Sequence, residues 1–235
     1  MKILNHDKEI INSRKILVEK GLSFIRSNFL SKLIHRLKLP ILNIGDFRKS
    51  WDILNTVNFF KDNVDKQSKI LDVGSWHSEI ILSLHKMGYR DLYGIDKNPM
   101  VKKMPFSSQI NYHVENFFNN SFSDKSFDAI TAISTIEHGY DEEKYFTEFS
   151  RLLKKDGKLV ISFDYWKQKI ETNGIKMFDL DWKIFSENEV NIMIKNVEKK
   201  YDLALIGERN FFSENKVIDC AGKNYTFAWL SFNKI

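Results

Sequence analysis

The sequence predicts an α/β fold, in which a mostly parallel sheet carries helices on both faces and ends in an antiparallel hairpin. From Ser68 onward, short runs rich in apolar residues alternate with segments of helical spacing, and this alternation is typical of a parallel sheet covered on both faces. No helical pattern separates the last two runs, so we expect those two strands to pair antiparallel.

Seven runs are predicted to be strands of one Rossmann-like sheet, because each is short, apolar and bounded by turn residues. In chain order they are KILDV (69–73), DLYGI (91–95), INYHV (110–114), FDAITAI (127–133), KLVISF (158–163), residues 203–206 and residues 225–232.

Helical spacing between these strands predicts three helices: residues 79–87, residues 142–153 and a helix that begins near Glu187. Asp141 is placed to cap the second helix, and Asp156-Gly157 follows it as a stop signal. The third helix opens with Ser186 and Glu189 in the spacing of a capping box.

Ahead of the sheet, residues 22–37 and 50–60 also have apolar side chains at helical spacing. We therefore expect a basic helical extension over residues 1–49, followed by one domain over residues 50–235. Residues 1–50 contain 11 Lys and Arg against 4 Asp and Glu, whereas the remainder contains 25 against 27. Because the positive charge lies in the extension and not along the predicted site, the composition argues against a nucleic-acid-binding protein.

The extension allows two interpretations. It is a helical lid over a substrate pocket, with Arg26 and Arg36 at the rim, or residues 14–38 make a weak contact with an anionic membrane surface. No apolar run reaches the roughly 20 residues that span a bilayer, and no signal-peptide pattern opens the chain. With Cys220 as the single cysteine, we expect a cytoplasmic protein, at most peripheral to the inner face of the membrane, without disulfides.

The turn after the first predicted strand, residues 72–78, has the features of a cofactor-binding turn. In open α/β sheets the ligand lies outside the carboxyl ends of the strands, and Gly74 lets the backbone approach a ligand closely. Asp96 ends the second strand, 24 residues after Asp72, where a carboxylate accepts hydrogen bonds from ribose hydroxyls. Trp76 and Ser78 stand where two further glycines would permit a closer approach.

The motifs ILDVGS, YGID, SFDAITAISTIEH and EFSRLLKKDGKLVIS follow one another along the chain. This order resembles the class I S-adenosylmethionine-dependent methyltransferases, most closely the small-molecule branch that has a Glu-His pair after the fourth strand. The resemblance covers about residues 50–235, and residues 122–162 carry its most specific part. The segment FDYW…LDWKIFS also resembles methyltransferases of bacterial surface-polysaccharide gene clusters.

The resemblance implies S-adenosylmethionine as cofactor and assigns residues to its parts. Asp72, Gly74 and Ser75 belong to the pocket for the methionine part, Asp96 to the ribose, Glu115 and Asn116 to the adenine, and Ile133 and Ser134 to the neighbourhood of the sulfonium. Asn116 stands where the branch has an aspartate, and its amide oxygen still accepts a hydrogen bond.

Aromatic residues that follow the fifth strand are predicted to contact the acceptor, because aromatic faces suit the apolar face of a sugar ring. They are Tyr165, Trp166 and Trp182, with Phe185 beside them. Together with the polysaccharide-cluster resemblance, they predict O-methylation of a sugar or of a sugar-linked small molecule. The alternative acceptor is a quinone-like or other lipid-soluble phenol.

A sugar hydroxyl needs a base to take its proton as it attacks. His138 is the preferred base, because its ordinary pKa of about 6.5 suits the task. Asp164 is the second candidate if desolvation raises its pKa, and His77 is a distant third. Glu137 with His138 is a weak metal-site candidate, because two adjacent ligands rarely suffice, so we expect no metal.

Two other functions compete with this one. A nicotinamide enzyme would need G-x-G-x-x-G in the first turn, where this chain has Gly74 alone. A catalytically inactive scaffold or membrane-surface adaptor would explain the altered turn and the basic extension, although Asp72, Gly74 and Asp96 favour a binding-competent site.

Overall fold

The structure is a computed structural model that describes residues 1–25 and 44–235. Its strands are β1 (Lys2–Ile3), β2 (Ile70–Val73), β3 (Leu92–Asp96), β4 (Asn111–Val114), β5 (Phe127–Ile133), β6 (Leu153–Trp166), β7 (Lys176–Met177), β8 (Leu180–Asp181), β9 (Phe185–Ser186), β10 (Leu203–Leu205), β11 (Ile218–Cys220) and β12 (Lys223–Lys234). The helices are α1 (Asp7–Glu19), α2 (Ser50–Asn63), α3 (Ile80–Lys86), α4 (Glu142–Leu152) and α5 (Glu187–Lys200), with short 3₁₀ turns at Phe47–Lys49 and Pro99–Lys103.

The strands form one main sheet in the order β1-β12-β6-β5-β2-β3-β4, and β10 also pairs with β12. Strands β4, β3, β2, β5 and β6 run parallel, whereas β12 runs antiparallel to both β6 and β10. The predicted fold class is confirmed, including the antiparallel pairing of the last two predicted strands. Strand β2 lies between β3 and β5, so the strand order reverses there and a ligand crevice is expected at its carboxyl end.

Local signals placed most helix boundaries correctly. Asp141 caps α4 by accepting from the backbone amide of Lys144, and Ser186 and Glu189 form the expected capping box at the start of α5. The stop signal at Asp156-Gly157 is different from the prediction, because α4 ends at Leu152 and β6 begins at Leu153, so both residues belong to the strand.

The first 25 residues differ most from the sequence-based prediction. Strand β1, which was not predicted, pairs with β12, and α1 packs against α2 in a part of the predicted helical extension to which no individual helix was assigned. Helix α1 ends before Gly21, whose φ of 68° is the left-handed conformation that glycine adopts at a helix C-terminus. Residues 22–25 are therefore not helical, and the rest of the helix predicted over residues 22–37, with Arg26 and Arg36, lies outside the described residues.

Side chains of the central strands alternate between two cores, one on each face of the sheet. On β6, Phe163 and Tyr165 belong to one core and Trp166 to the other. None of the helices formed by residues 1–25 and 44–235 combines the length and the apolar character that a bilayer span needs. The domain boundary at residue 49 stays a prediction.

Candidate active site

A cavity of about 1580 Å³ runs along the carboxyl ends of the parallel strands. Among the residues that line it are Gly74 after β2, Asp96 at the end of β3, Ser134 after β5 and Asp164 near the end of β6. Neighbouring strands lie about 4.8 Å apart, so the three strand spacings from β3 to β6 separate Asp96 from Asp164 by about 14 Å. The cavity exceeds the roughly 300–1,000 Å³ of a drug-sized pocket and has room for a cofactor and an acceptor together.

The turn after β2 keeps the geometry of a ligand-binding turn despite its substituted glycines. The amides of Gly74 and Ser75 both donate to the carbonyl of Ile95. Gly74 has a φ of 75°, and a Cβ at this position would lie 2.7 Å from Oγ1 of Thr135. Both the backbone conformation and the space therefore require glycine here.

Asp96 presents a fixed carboxylate to the cavity. Its Oδ2 accepts from the amide of Trp76 at 3.0 Å, and its Oδ1 accepts from the amide of Asn98 at 2.8 Å. Each carboxylate oxygen still has acceptor capacity after one hydrogen bond, so the pair fits the two hydroxyls of a ribose. The Trp76 side chain packs on His77 with ring centroids 4.0 Å apart, and both rings line the cavity.

Glu115 and Asn116 line the cavity beyond β4, as expected for the adenine end. The Glu115 carboxylate accepts from the amide and the hydroxyl of Ser121, and these bonds lower the pKa of Glu115. The Asn116 side chain is exposed, and its Oδ1 accepts from the amide of Phe118 at 3.1 Å. The side chain of Asn116 is therefore more exposed than that of Glu115 and accepts fewer hydrogen bonds.

Asp72 and Ser75 do not line the cavity, unlike Gly74 between them. Asp72 is buried, its Oδ1 accepts from the hydroxyl of Thr131 at 2.7 Å, and burial raises its pKa to about 7. Both residues are buried beside Gly74, and their assignment to the pocket for the methionine part stays a prediction.

The acceptor half of the cavity begins where β5 ends. Ile133 and Ser134 line the cavity there, and Ser134 has a φ of 52°. The Ser134 hydroxyl donates to Oε1 of Glu137. Glu137 is fully buried, it lines the cavity, and its Oε2 has no hydrogen-bond partner in the part of the chain that the structure describes.

Asp164 lies on the neighbouring strand and is also buried. The Trp182 indole donates to its Oδ2 at 2.7 Å, while Oδ1 has no hydrogen-bond partner within residues 1–25 and 44–235. Nζ of Lys49 lies 3.6 Å from Oδ1, which makes an ion pair without a hydrogen bond. Burial raises the pKa of Asp164 to about 6, and Lys49 opposes that rise.

His138 lines the same half of the cavity, but burial lowers its pKa to about 4. The ring is therefore neutral at physiological pH, and it is a weaker base than Asp164. The edge of the Phe178 ring packs on it, with centroids 5.1 Å apart. His77, the third candidate base, lies in the cofactor turn, and burial lowers its pKa as well.

We name Asp52, Glu137 and Asp164 the acid cluster. Asp52 is fully buried in α2, neither of its oxygens has a hydrogen-bond partner among the described residues, and burial raises its pKa to about 8. Nζ of Lys49 lies 4.0 Å from Asp52 and 3.4 Å from the centroid of the Phe227 ring. The ammonium group of Lys49 thus lies within ion-pair distance of two carboxylates, those of Asp52 and Asp164.

The three aromatic residues predicted to contact the acceptor do not line the cavity. Tyr165 neighbours Asp164 on β6, so its side chain points to the opposite face of the sheet, and its hydroxyl donates to the carbonyl of Phe211. Trp166 is buried in the core on the near face. Trp182 contributes indirectly by fixing Asp164.

The mouth of the cavity is apolar. Strands β7 and β8 form a hairpin whose turn, Phe178-Asp179, has φ values of 54° and 63°. Phe178 is 82% exposed and Leu180 is 40% exposed, and both line the cavity with Phe24 and Phe47. The exposed side chains of Phe47, Phe178 and Leu180, with the half-buried Phe24, give the cavity an apolar rim.

Arg14 and Glu79 form a buried ion pair beside the cofactor turn. Nη1 of Arg14 lies 2.7 Å from Oε1 of Glu79, and its Nη2 lies 2.9 Å from Oε2. The remaining Arg14 donors reach the hydroxyls of Ser50 and Ser23, and Oε1 of Glu79 also accepts from the amide of Phe24. Arg14, the first residue of the segment predicted to contact a membrane, is therefore buried and paired.

Sequence reasoning missed Arg14, Lys49, Asp52 and Glu79. One signal was present: Asp52 falls four residues before Thr56 and eight before Phe60, on the buried face of α2. The described residues include no group of three or more His, Cys, Asp or Glu arranged to hold a metal ion.

Comparison with known proteins agrees with this geometry. Residues 71–161 match the family described as Methyltransferase domain. Over these residues the chain is similar to a methyltransferase domain, in agreement with the resemblance found in the sequence. S-adenosylmethionine, the cofactor predicted from the sequence, is the cofactor of this domain family, and the Gly74 turn and the Asp96 carboxylate fit it.

A demethylmenaquinone methyltransferase of Bacteroides fragilis is 32% identical over an alignment of 139 positions that covers 55% of this chain and 53% of that protein. The chain thus covers about half the length of this curated relative. The structure of a geranyl diphosphate C-methyltransferase from Streptomyces coelicolor, solved with Mg²⁺, geranyl diphosphate and S-adenosyl-L-homocysteine, superposes with a TM-score of 0.59 at 13% identity, covering 86% of this chain and 88% of that one. A methyltransferase structure from Methanosarcina mazei gives 0.55 at 18% identity, covering 75% and 97%.

Proposed function

We propose that this protein is an S-adenosylmethionine-dependent O-methyltransferase that acts on a hydroxyl of a sugar or a sugar-linked small molecule. The observation that carries the proposal is the Asp164 carboxylate, which is buried, lines the acceptor half of the cavity and keeps Oδ1 without a hydrogen-bond partner in the described parts of the chain. Buried polar atoms are nearly always paired, so an unpaired one in a cavity is suited to a ligand.

The cofactor, when bound, supplies an electrophilic methyl group on a sulfonium. The chain must align the acceptor oxygen with that carbon and exclude water. Asp96 and the Gly74 turn would hold the adenosine side, and Ser134 would lie on the side of the sulfonium, as the resemblance implies. The cofactor would supply the methyl group and would take up the electron pair of the carbon–sulfur bond that breaks, while Oδ1 of Asp164 accepts the proton of the acceptor oxygen.

Asp164 suits the role of base better than His138. Both are unprotonated near pH 7, but the carboxyl, with a pKa of about 6, binds a proton more strongly than the imidazole, with a pKa of about 4. General-base efficiency rises as the pKa of the base approaches the operating pH. The indole of Trp182 binds Oδ2, so that Oδ1, beside Nζ of Lys49, has no hydrogen-bond partner among the described residues, a constraint that the sequence did not reveal.

A quinone-like or other phenolic acceptor is the second candidate. The exposed rim formed by Phe178 and Leu180 supports it, because an apolar mouth accommodates a hydrocarbon chain. The relative from Bacteroides fragilis, a demethylmenaquinone methyltransferase, points in the same direction. The buried acids favour the polar acceptor, since a hydrocarbon ring would leave them without partners.

Incubation of the protein and S-adenosylmethionine, labelled in its methyl group, with fractionated bacterial lysate tests the proposal. We expect the label to be transferred to a hydroxyl of a carbohydrate-containing product. Label on a quinone or phenol would support the second candidate. Bound cofactor without transfer to any fraction would favour an inactive scaffold.

Asp164→Asn should abolish transfer in the same incubation, while cofactor binding stays intact. Asp91→Asn provides the matched control, because Asp91 is an exposed acid at the opposite end of β3, outside the cavity lining. This control should transfer label at the wild-type rate.

A further inference from the structure

We infer that the acceptor carries a protonated amine beside the hydroxyl that is methylated, and that Glu137 is the residue that binds this amine. The acceptor class is therefore a vicinal amino alcohol, of which an amino sugar is an example. This inference rests on the proposed function, because it names a second contact of the same acceptor.

Charge is the first argument. The acid cluster contains Asp52, Glu137 and Asp164, and Lys49 is shared between Asp52 and Asp164 at 4.0 and 3.6 Å. Within the described ranges, no Lys, Arg or His forms a salt bridge to Glu137. Its Oε1 accepts from a neutral donor, the Ser134 hydroxyl, and its Oε2 accepts from none of the described groups. Glu137 is thus a fully buried, cavity-lining acid that makes no ion pair with the described residues, and the more distant Lys49 only partly opposes the rise of its pKa.

The cost of burial is the second argument. An isolated buried carboxylate is strongly unfavourable unless it is paired with a cation and hydrogen-bonded, and burial raises the pKa of Glu137. A hydroxyl would complete the hydrogen bonds of Oε2 but would leave its charge unbalanced. An ammonium group provides three donors together with the missing positive charge.

Position is the third argument. Glu137 follows β5 and Asp164 lies on β6, and Ile133 on β5 pairs with Ser162 on β6. Both carboxylates line the cavity, and they are close enough that the charge of Glu137 contributes to the raised pKa of Asp164. An acceptor with nitrogen and oxygen on adjacent carbons can thus place its ammonium at Glu137 and its hydroxyl at Oδ1 of Asp164.

The experiment compares two probes of similar shape, D-glucosamine and D-glucose, by calorimetric titration of the full chain saturated with S-adenosyl-L-homocysteine at neutral pH. We expect glucosamine to bind at least about ten-fold more tightly, as one charge-assisted hydrogen bond provides. Glu137→Gln should remove this preference, since glutamine keeps the shape and loses the charge. Equal binding of the two sugars, or binding of neither, would overturn the inference.

Asp52→Asn is the matched control. It removes a carboxylate of the same cluster from a buried position that does not line the cavity, so the glucosamine preference should persist. If Asp52→Asn removes the preference as completely as Glu137→Gln does, the preference depends on the total negative charge of the acid cluster, and Glu137 is not the binding residue.

A different role for Glu137, in which it balances the charge of the cofactor's sulfonium, is tested by measuring how Glu137→Gln binds the methylated and demethylated forms of the cofactor. If Glu137 balances the sulfonium charge, the variant should lose affinity for S-adenosylmethionine relative to the uncharged S-adenosyl-L-homocysteine, and this result would overturn the inference. An unchanged ratio supports it. Failure of the wild-type chain to bind either form would refute the proposed function itself, an outcome distinct from cofactor binding without amine preference.

Discussion

Apart from the single buried carboxylate of Asp72, two groups of buried charges lie beside the cavity, and they differ in how completely they are hydrogen-bonded. The Arg14–Glu79 pair beside the cofactor turn is bidentate, and serine hydroxyls and a backbone amide complete its hydrogen bonds. The acid cluster on the acceptor side shares Lys49 and leaves oxygens of all three carboxylates without hydrogen-bond partners in the described part of the chain.

This difference distinguishes buried charges that stabilise the fold from buried charges that bind a ligand. A fully satisfied buried pair rigidifies the segment that holds it, and removing one partner is costly. Incompletely paired carboxylates reduce stability, and a protein retains them where a ligand completes their bonds. We therefore expect substitutions in the Arg14–Glu79 pair to lower stability, and substitutions in the acid cluster to change activity and pH dependence.

The largest expected effect is on turnover. Asp164→Asn should lower kcat by about 10²–10⁴-fold, the range of general-base catalysis, because the amide cannot take the acceptor proton. Stopped-time assays at saturating cofactor measure this loss. The His138→Ala variant serves as comparison and should lose much less, and a greater loss in His138→Ala would assign the base to the histidine.

The next largest expected effect is on the free energy of unfolding, through the Arg14–Glu79 pair. Arg14→Gln should reduce the free energy of unfolding by about 3–5 kcal/mol, because Glu79 is left as a buried charge without its cation. Urea titration followed by circular dichroism measures the change. Substitution of the exposed Lys15 by Gln is the control, since its pair with Glu19 is 3.9 Å long and solvent-exposed, and it should change stability by less than about 0.5 kcal/mol.

Cofactor affinity should depend on Asp96, which represents the cofactor half of the cavity. Asp96→Ala removes a charged acceptor for the ribose hydroxyls, and such a loss costs about 1.5–3 kcal/mol. The dissociation constant of S-adenosylmethionine should therefore rise ten-fold or more, as calorimetry would show. An unchanged constant would mean that the ribose lies elsewhere.

The smallest expected effect is on the pH dependence of stability. The pKa of Asp52 is raised to about 8, above its unfolded value of about 3.9, so the stability that its protonated form contributes is lost as pH rises between these values. The wild-type chain should lose unfolding free energy as the pH rises from about 6 to about 9, and the Asp52→Asn variant should lose less, by about 1 kcal/mol or more. Equal pH profiles for the two proteins would contradict the burial of an unpaired Asp52.

Local signals in the sequence predicted the strands, the caps of α4 and α5 and the cofactor half of the site. The glycine of the turn and the acid at the end of β3 are identified by their position in the chain. In contrast, the Arg14–Glu79 pair joins residues 65 positions apart, and nothing in the local pattern indicates that partnership.

The aromatic residues after β6 show a different cause of error. Asp164 and Tyr165 are consecutive residues of one strand, and the alternation of side chains places them on opposite faces. A prediction that used the alternation of side chains along the strand would have assigned Asp164 to the cavity and excluded Tyr165. Trp182 was missed in its actual role because its hydrogen bond to Asp164 depends on how the hairpin β7–β8 folds back.

The most direct test of this comparison measures the free energy of unfolding of Glu79→Gln and Asp164→Asn in the same urea titration at pH 7. Both variants replace a buried acid by its amide, and only the first breaks a fully hydrogen-bonded pair. The account predicts a loss of about 3–5 kcal/mol for Glu79→Gln and a change within about 1 kcal/mol for Asp164→Asn, whose side-chain oxygen can still accept from Trp182. Equal losses, or a larger loss in Asp164→Asn, would contradict it.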